Sequence, residues 1–388
     1  MNSVTQYLSK NAREYGIWIA LVLIVIMFQI MTNSLLLKPN NVAALVQQNA
    51  YVMILAIGMV MVIVAGHIDL SVGSVVAFVG GFTAIAMAKW DQPWIVAVLG
   101  AILLGALIGA WQGYWIAYVG IPAFIVTLAG MMIFRGLAIV TVGTTVAGLP
   151  RAFRNISNGS LPNALGFIGN LDVVTIVIGA VGVAALVFSQ LRTRAAAAKH
   201  DIAVEPTAAF WGKIILIAAF AAYLTYLLAN SRGTPIVLII VGVLILVYTF
   251  ILNRTVFGRH IYAIGGNLNA AILSGVNTRR TNFMIFVNIG MLAGVAAIVT
   301  TSRAGAAVAA AGQNYELDAI ASCFIGGTAV TGGIGKISGA MIGALIMGVL
   351  NMGLSIMAVD AAWQQSIKGL VLLLAVALDL IGKRRTGR

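Results

Sequence analysis

Few residues in this chain are of a type that could do catalytic chemistry, and they form no recognisable set. GGIGKIS, Gly332–Ser338, resembles a phosphate-binding loop, but Val330 stands where the pattern needs a glycine and Ile337 where it needs Ser or Thr. His67 and Asp69 could touch one metal ion, but no third ligand is near them in sequence. No Ser/His/Asp or His-Glu-x-x-His pattern occurs. We therefore expect a non-enzyme with no metal site, no cofactor and no nucleotide site of its own.

Charged residues within or beside long apolar stretches are the next candidates, because charge is costly in lipid and usually functional there. Asp69 either caps the following helix through backbone amides near Ser71 or lies in a solute pathway, and the residue types favour capping. Arg135 lies inside an apolar stretch and must face protein or water. Glu316 and Asp318 suit the N-terminus of a short helix. These residues form no acidic relay of the kind that a proton-coupled carrier needs.

Uncharged polar residues are also spread through the apolar stretches. They are Gln47, Gln48, Asn49, Thr127, Asn288 and Asn351. A neutral polyol needs hydrogen-bonding groups and space rather than ion pairs. The pattern therefore favours a wide pathway for a neutral solute, with selectivity residing in another protein.

A polar island, Gly258–Arg280, separates two apolar stretches that are each long enough to cross a bilayer. Asn267 stands in an N-cap position, the residues after it could form about two helical turns, and Gly275 could stop them. A helix this short is not stable alone in water and needs a surface to lie against. With Leu268 and Ile272 on one face, it is typical of a docking element for a soluble partner.

The composition requires a membrane around these residues. Of the 388 residues, 61% are hydrophobic and 9% are charged, and the mean hydropathy is +1.04, whereas a soluble domain has about 25% charged residues. The 43 glycines suit close helix packing in lipid, and long apolar runs exclude an outer-membrane barrel. The sequence predicts an all-α polytopic membrane protein with one transmembrane domain over residues 1–388.

The apolar stretches predict ten to twelve transmembrane helices. Their predicted bounds are Gly16–Met31, Ala50–Gly66, Val72–Ala88, Trp94–Ala117, Pro122–Val142, Val173–Gln190, Lys213–Ala229, Pro235–Leu252, Phe283–Thr301, Ala319–Val330, Ser338–Met357 and Gln364–Ile381. The tenth is too short for a full crossing and could be a half-helix or a re-entrant piece. Two glycine-rich breaks, Gly66–Ser74 and Gly326–Gly339, suggest a weak internal repeat of the kind that transporters place around their pathways.

The basic residues set the predicted orientation. Four groups share one side of the membrane if the predicted spans alternate, and they are Lys10 and Arg13; Arg192, Arg194, Lys199 and Lys213; Arg254, Arg259, Arg279 and Arg280; and Lys383, Arg384, Arg385 and Arg388. The positive-inside tendency puts these groups and both termini in the cytoplasm. Residues 191–213 are then a basic cytoplasmic linker and residues 253–282 a cytoplasmic coupling loop. The formal net charge of +13 indicates contact with anionic membrane lipid rather than with nucleic acid.

Four motifs occur in a fixed order along the chain. They are AGHIDLSVGS (Ala65–Ser74), IPAFIVTLAG…FRG (Ile121–Gly136), AIGGNLNAAILSGV (Ala263–Val276) and ELDAIA…GGT…GGIG (Glu316–Gly335). Together they resemble the membrane subunits of bacterial ABC sugar importers, the ribose/xylose/arabinose class of permeases, over roughly Val42 to Leu380. The added pair of spans around Arg192–Lys213 is similar to xylose-type or multiple-monosaccharide permeases. His67 stands where relatives often have an acidic residue, which puts a charge-pair role there in doubt.

The resemblance implies an inner-membrane assembly in which two permease copies form the pathway. It also implies two ABC ATP-binding subunits that drive transport and a periplasmic sugar-binding protein that delivers the sugar. Carried onto this sequence, it makes the coupling segment fit a groove on the ATP-binding subunit, with eight residues as its matching positions: Gly265, Gly266, Asn267, Leu268, Ala271, Ile272, Ser274 and Gly275. Asp69, Ser71, Arg135, Glu316 and Asp318 also match motif positions, and their individual roles stay open.

Two other functions remain open at the level of sequence. One is a secondary transporter or facilitator that works without ATP, which the docking loop and the missing acidic relay argue against. The other is an ABC permease for a different small solute, such as a nucleoside or a branched-chain amino acid.

Overall fold

The structure is a computed structural model that describes residues 12–199 and 206–385, and its regular structure is almost entirely helical. The first helices are α1 (Ala12–Met31), α2 (Pro39–Val64), α3 (Val72–Ala88), α4 (Trp94–Tyr114), α5 (Ala123–Val142), α6 (Arg151–Asn158) and α7 (Val173–Lys199). The following helices are α8 (Thr207–Ala229), α9 (Ile236–Arg254), α10 (Val256–Gly266), α11 (Leu268–Leu273), α12 (Thr278–Ala304), α13 (Tyr315–Ile325), α14 (Ile337–Ile356) and α15 (Ala361–Arg385). A π-helical turn, Trp115–Val119, extends α4.

Two short antiparallel strand pairs accompany the helices. Strand β1 (Thr145–Val146) pairs with β4 (Ala307–Val308), and β2 (Phe167–Ile168) pairs with β3 (Leu171–Asp172). The first pair joins the segment after α5 to the segment after α12. Two connections that are distant in sequence are thereby fixed to each other.

The predicted class, an all-α polytopic membrane protein, is confirmed. In the described residues, eight helices are long and apolar enough to cross a membrane, and three shorter apolar helices accompany them at Gly16–Met31, Val72–Ala88 and Ala361–Ala377. The short tenth element is a helix, but its predicted bounds are wrong, because α13 runs over Tyr315–Ile325. With 11 residues it is about half the length that a full crossing needs.

The second predicted span is wrong at its start, because α2 begins at Pro39 rather than at Ala50. Proline suits the first turn of a helix, where no intrahelical donor is needed. The polar run Gln47–Asn49 continues the helix because α2 lies at the centre of the bundle, with 83% of its most apolar window buried. Protein contacts there replace water for the buried Asn49 side chain, whereas Gln47 is partly buried and Gln48 is exposed.

The predicted loops are more helical than expected. The polar segment Gly143–Asn170, between the fifth and sixth predicted spans, contains α6. In the basic linker predicted at residues 191–213, α7 extends to Lys199 and α8 begins at Thr207. The linker residues 200–205 and the terminal basic residues Lys10 and Arg388 lie outside the described residues.

Glycines allow close contact between α4 and α12. A Cβ atom added at Gly109 would overlap the carbonyl oxygen of Phe286, and one added at Gly105 would overlap that of Gly290. The two backbones therefore touch without intervening side chains, as small residues permit in lipid. This contact fixes α12, which begins just after α11 and runs for 27 residues.

Helices α7 and α8 form a peripheral hairpin. Only 6% of the apolar window of α7 and 22% of that of α8 is buried. At one end the hairpin is held by Asp172, whose carboxylate accepts a hydrogen bond from the Thr175 amide at 2.9 Å, and by Thr175, whose hydroxyl accepts one from the Thr234 amide at 2.8 Å. The rest of the apolar surface is left for membrane lipid.

Candidate functional site

The short helix α11 has the local structure that its sequence predicts. The Asn267 side-chain oxygen accepts a hydrogen bond from the Ala270 amide at 3.0 Å, which caps the first turn. Gly275 has a φ of +80°, a left-handed conformation that ends the helix and that favours glycine. The Ser274 amide bonds back to the Ala270 carbonyl at 3.0 Å and completes the last turn.

One face of α11 is buried and the other is apolar and exposed. Ala271 is 4% exposed, whereas Leu268 is 48%, Ile272 is 52% and Leu273 is 89% exposed. The helix has six residues, so its own hydrogen bonds cannot stabilise it and it depends on contact with α10. The structure thus leaves the apolar side chains of Leu268, Ile272 and Leu273 exposed on a helix held from its other side.

Gly265, just before α11, occupies a tight junction. A Cβ atom added there would overlap the carbonyl oxygen of Val64, at the end of α2, and would lie 2.6 Å from the amide nitrogen of Gly333. The Gly333 amide itself donates to the Val64 carbonyl at 2.8 Å. Gly266 is different, because a Cβ atom added there has no neighbour within 4 Å. Of the two adjacent glycines, Gly265 faces the bundle and Gly266 faces open space.

Tyr262 ties α10 to the same place. Its hydroxyl donates a hydrogen bond to the Gly335 carbonyl at 2.6 Å, and burial raises the pKa of the Tyr262 phenol above its usual value, so the phenol stays a donor at neutral pH. Gly332 and Gly333 both have positive φ angles, +82° and +73°. The two glycine-rich breaks predicted from sequence therefore meet around α10. Whether they belong to an internal repeat remains a prediction.

Asp69 and Ser71 lie in the first of these breaks, immediately before α3. Asp69 is 1% exposed, and its Oδ1 accepts from the Ser71 amide at 2.8 Å and from the Ser71 hydroxyl at 2.7 Å. Gln112 on α4 donates to the Ser71 oxygen at 2.8 Å. The carboxylate thus forms a turn with Ser71, the N-cap residue of α3, whose first turn has no side-chain cap hydrogen bond. Sequence reasoning did not single out Gln112, which lies far away along the chain.

His67 and Asp69 do not form part of a metal site in the described residues, where no group of three or more His, Cys, Asp and Glu side chains could hold an ion. The His67 Nε2 atom is buried without a hydrogen-bond partner there, and its ring lies 6.0 Å from that of Phe286.

Arg135 faces protein, about two-thirds of the way along α5. Its Nη1 donates to the carbonyl oxygens of Ala309 at 3.0 Å and of Ala311 at 2.7 Å. The guanidinium thereby holds the segment that leads from α12 to α13 against α5. Glu316 lies at the end of that segment, and a Cβ atom added at Gly73 on α3 would overlap its carboxylate.

Asp318, in the first turn of α13, joins three helices. The Tyr51 hydroxyl on α2 donates to its Oδ2 at 2.8 Å, and the Lys368 ammonium on α15 lies 3.2 Å from its Oδ1. Tyr51 also stacks on Tyr315 with a centroid separation of 3.6 Å. The sequence offered no sign of this pairing beyond the presence of Lys368 within an apolar stretch.

The candidate residues thus fall into two groups. The predicted coupling residues Gly265–Gly275 lie near the C-terminal end of α2 and the second glycine-rich break. Arg135, Glu316 and Asp318 hold α13 inside the bundle, near the other end of α12.

Comparison with known proteins decides the family. Residues 41–376 match the family model described as "Branched-chain amino acid transport system / permease component". The xylose transport system permease protein XylH of Escherichia coli is 41% identical over 379 residues, covering 97% of this chain and 94% of that protein. The chain is an ABC sugar permease of the ribose and xylose class.

Other relatives support the same family assignment. XylH of Haemophilus influenzae is 39% identical over 378 residues, covering 97% of this chain and 98% of that protein. The Escherichia coli ribose import permease protein RbsC is 33% identical over 340 residues, covering 88% of this chain and 85% of that protein. No solved structure gives a significant match.

Proposed function

We propose that this permease is the membrane subunit of an ATP-driven importer for monosaccharides, with xylose as the first candidate sugar. The observation that carries the proposal is the capped helix α11, which presents exposed apolar side chains while Gly265 packs against the end of α2 and the second break. Similar proteins, which are permeases for xylose, ribose and allose, support the sugar class.

The partner at α11 is an ABC ATP-binding subunit. Leu268, Ile272 and Leu273 fit an apolar groove, and Gly266, which has open space beside it, lets a second backbone approach closely. A periplasmic sugar-binding protein delivers the solute, and a second copy of the permease completes the pathway. The permease supplies no catalytic residue, so that hydrolysis of ATP belongs to its partner.

The packing around Gly265 provides a way to couple movement of α11 to the two glycine-rich breaks. A rigid helix pair, α10 and α11, is held to the end of α2 by the Gly265 junction and to the second break by the Tyr262 hydroxyl. Displacement of α11 by the ATP-binding subunit therefore moves both breaks together, because tightly packed interiors transmit displacement. The free energy comes from partners that bind the outward-open and inward-open states with different affinity.

The proposed location is the bacterial inner membrane, with both termini in the cytoplasm. Arg259 lies in α10, and Arg254, Arg279 and Arg280 flank α10 and α11. Basic residues of short connections stay on the cytoplasmic side. The opposite end of α12, where α6 packs, is then periplasmic.

The test is uptake of labelled xylose, ribose and leucine into proteoliposomes that contain the permease, its ATP-binding subunit and its binding protein. The expected result is ATP-dependent uptake of one or more sugars that disappears when any component is omitted. Uptake by the permease alone, indifferent to ATP, would make it a facilitator. Uptake of leucine in place of sugars would show that the permease transports amino acids.

A further inference from the structure

A cavity of about 180 Å³ lies between α2, α12 and the start of α13. Its polar lining consists of Gln47, Gln48 and Tyr51 from α2, Thr300 and Arg303 from α12, and Tyr315 from α13. A cavity needs about 10–15 Å³ to hold one water molecule, so this cavity has room for several. That is the scale of one small polyol rather than of a disaccharide.

The lining offers hydrogen-bonding groups without a carboxylate among its described residues. Gln48 is exposed, and its carboxamide supplies both donors and an acceptor. The Thr300 hydroxyl is buried, and the Tyr315 phenol interacts with it, but no partner meets strict hydrogen-bonding geometry in the described part of the chain. A buried hydroxyl with only this one interaction has capacity for another hydrogen bond, and a solute hydroxyl in the cavity would supply it.

The Arg303 guanidinium in this lining is already held in place. Its Nη1 donates to the Asn158 side-chain oxygen at 2.6 Å, and the Asn158 amide nitrogen donates back to the Arg303 carbonyl at 3.2 Å. A guanidinium fixed in this way presents its remaining donors in a constant direction. Donors with no acidic partner in the lining suit the oxygens of a neutral polyol.

The cavity lies far from the coupling helix. Thr300 and Arg303 belong to the last turns of α12, whose first residue is Thr278. A helix of 27 residues is about 40 Å long, so the cavity and α11 are at opposite ends of the bundle. Helix α6 packs beside the cavity through Asn158, which puts the cavity on the periplasmic side of the proposed orientation.

We propose that this cavity binds one monosaccharide on its way from the periplasmic side into the pathway. The proposal rests on the proposed function and adds the place at which the permease itself contacts solute. Gln48 and Thr300 act as binding residues, and Arg303 supplies a fixed donor.

The test uses an engineered thiol in the complete assembly. Cys323 is the chain's one cysteine and is buried, so Gln48→Cys introduces a single accessible thiol. Gln92→Cys, in the exposed turn between α3 and α4, is the matched control. The rate of modification by a small polar thiol reagent is measured with and without xylose, and uptake is measured after modification.

We expect xylose to slow modification of Cys at position 48 severalfold and to leave position 92 unchanged. Modification should lower uptake at least tenfold in Gln48→Cys only. Adding Thr300→Val should raise the xylose concentration that gives half-protection about three- to tenfold, the equivalent of one hydrogen bond, whereas Thr300→Ser should not. If Gln48→Cys does not assemble, Gln47→Cys takes its place.

Equal modification rates with and without xylose, together with unchanged uptake after modification, would overturn the cavity as a sugar site. If the wild-type assembly takes up sugar normally in that experiment, the proposed function is still supported and only the cavity site is rejected. Absence of any sugar uptake by the wild-type assembly would instead reject the proposed function, and the site with it.

Discussion

Gly265 and Gly266 are neighbours in sequence with opposite surroundings, and this contrast gives the sharpest residue-scale prediction. Gly265→Ala forces a methyl group against the Val64 carbonyl, and overpacking of this kind costs about 1–3 kcal/mol. Gly266→Ala meets open space and should change stability by less than about 0.5 kcal/mol. Thermal unfolding of the two variants in detergent measures the difference. Equal melting temperatures would contradict the Gly265 junction.

Asp69 gives a second residue-scale prediction. Asp69→Ala removes the acceptor for the amide and the hydroxyl of Ser71, and a buried donor left without a partner costs about 1–3 kcal/mol. Asp69→Asn keeps one acceptor oxygen and should lose less. Unfolding curves of the two variants test this order. An Asp69→Asn variant that unfolds normally but transports nothing would point to a pathway role for the charge instead.

Hydrogen bonds between residues that are close along the chain could be predicted from the sequence. Contacts between residues that are distant along the chain could not. The Asn267 cap and the Gly275 stop depend on residues within one or two turns, so the sequence alone indicates them. The partners of Asp318 are 267 positions away at Tyr51 and 50 positions away at Lys368. Only the packed bundle brings those side chains together.

At the scale of elements, the Lys368–Asp318 pair links α15 to α13. The Asp318 side chain is 3% exposed and that of Lys368 is 23% exposed. Lys368→Met leaves a buried carboxylate with Tyr51 as its remaining partner, which should destabilise the protein by about 1–3 kcal/mol. Asp318→Asn in the same chain should restore part of that loss, since the uncompensated charge is gone. A double-mutant cycle by thermal unfolding measures the coupling, and additive losses would show that the pair contributes nothing.

The bounds of the helices agree with the apolar pattern of the sequence except where tertiary packing overrides that pattern. Val72–Ala88 was predicted to the residue, because glycine-rich and polar segments bound it on both sides. The start of α2 was missed because Gln47–Asn49 reads as a polar boundary. Those residues are tolerated in the helix because Asn351 donates to the Asn49 side chain at 3.1 Å and Gln47 lines the cavity beside α12. Strands β1 and β4 have two residues each, which is too short for a recognisable strand pattern in the sequence.

At the scale of the whole molecule, composition alone was enough to predict a polytopic helical bundle. It could not predict the cavity, which depends on three helices contributed by widely separated parts of the chain. It also could not predict that both glycine-rich breaks meet at Gly265. That meeting connects a surface helix to the ends of α2 and α13, and it is the physical basis for proposing that α11 transmits the action of an ATP-binding subunit.

The most direct measurement of that claim is ATP-dependent xylose uptake by the complete assembly containing Gly266→Asp, compared with wild type and with Gln92→Asp. Gly266 has open space beside it, so the permease should fold and enter the membrane normally. A charge placed beside the apolar docking face should reduce uptake at least tenfold, because a carboxylate buried in that contact without a partner is costly. Gln92→Asp should transport at the wild-type rate. Wild-type uptake by a folded Gly266→Asp permease would contradict the assignment of this segment as the coupling site.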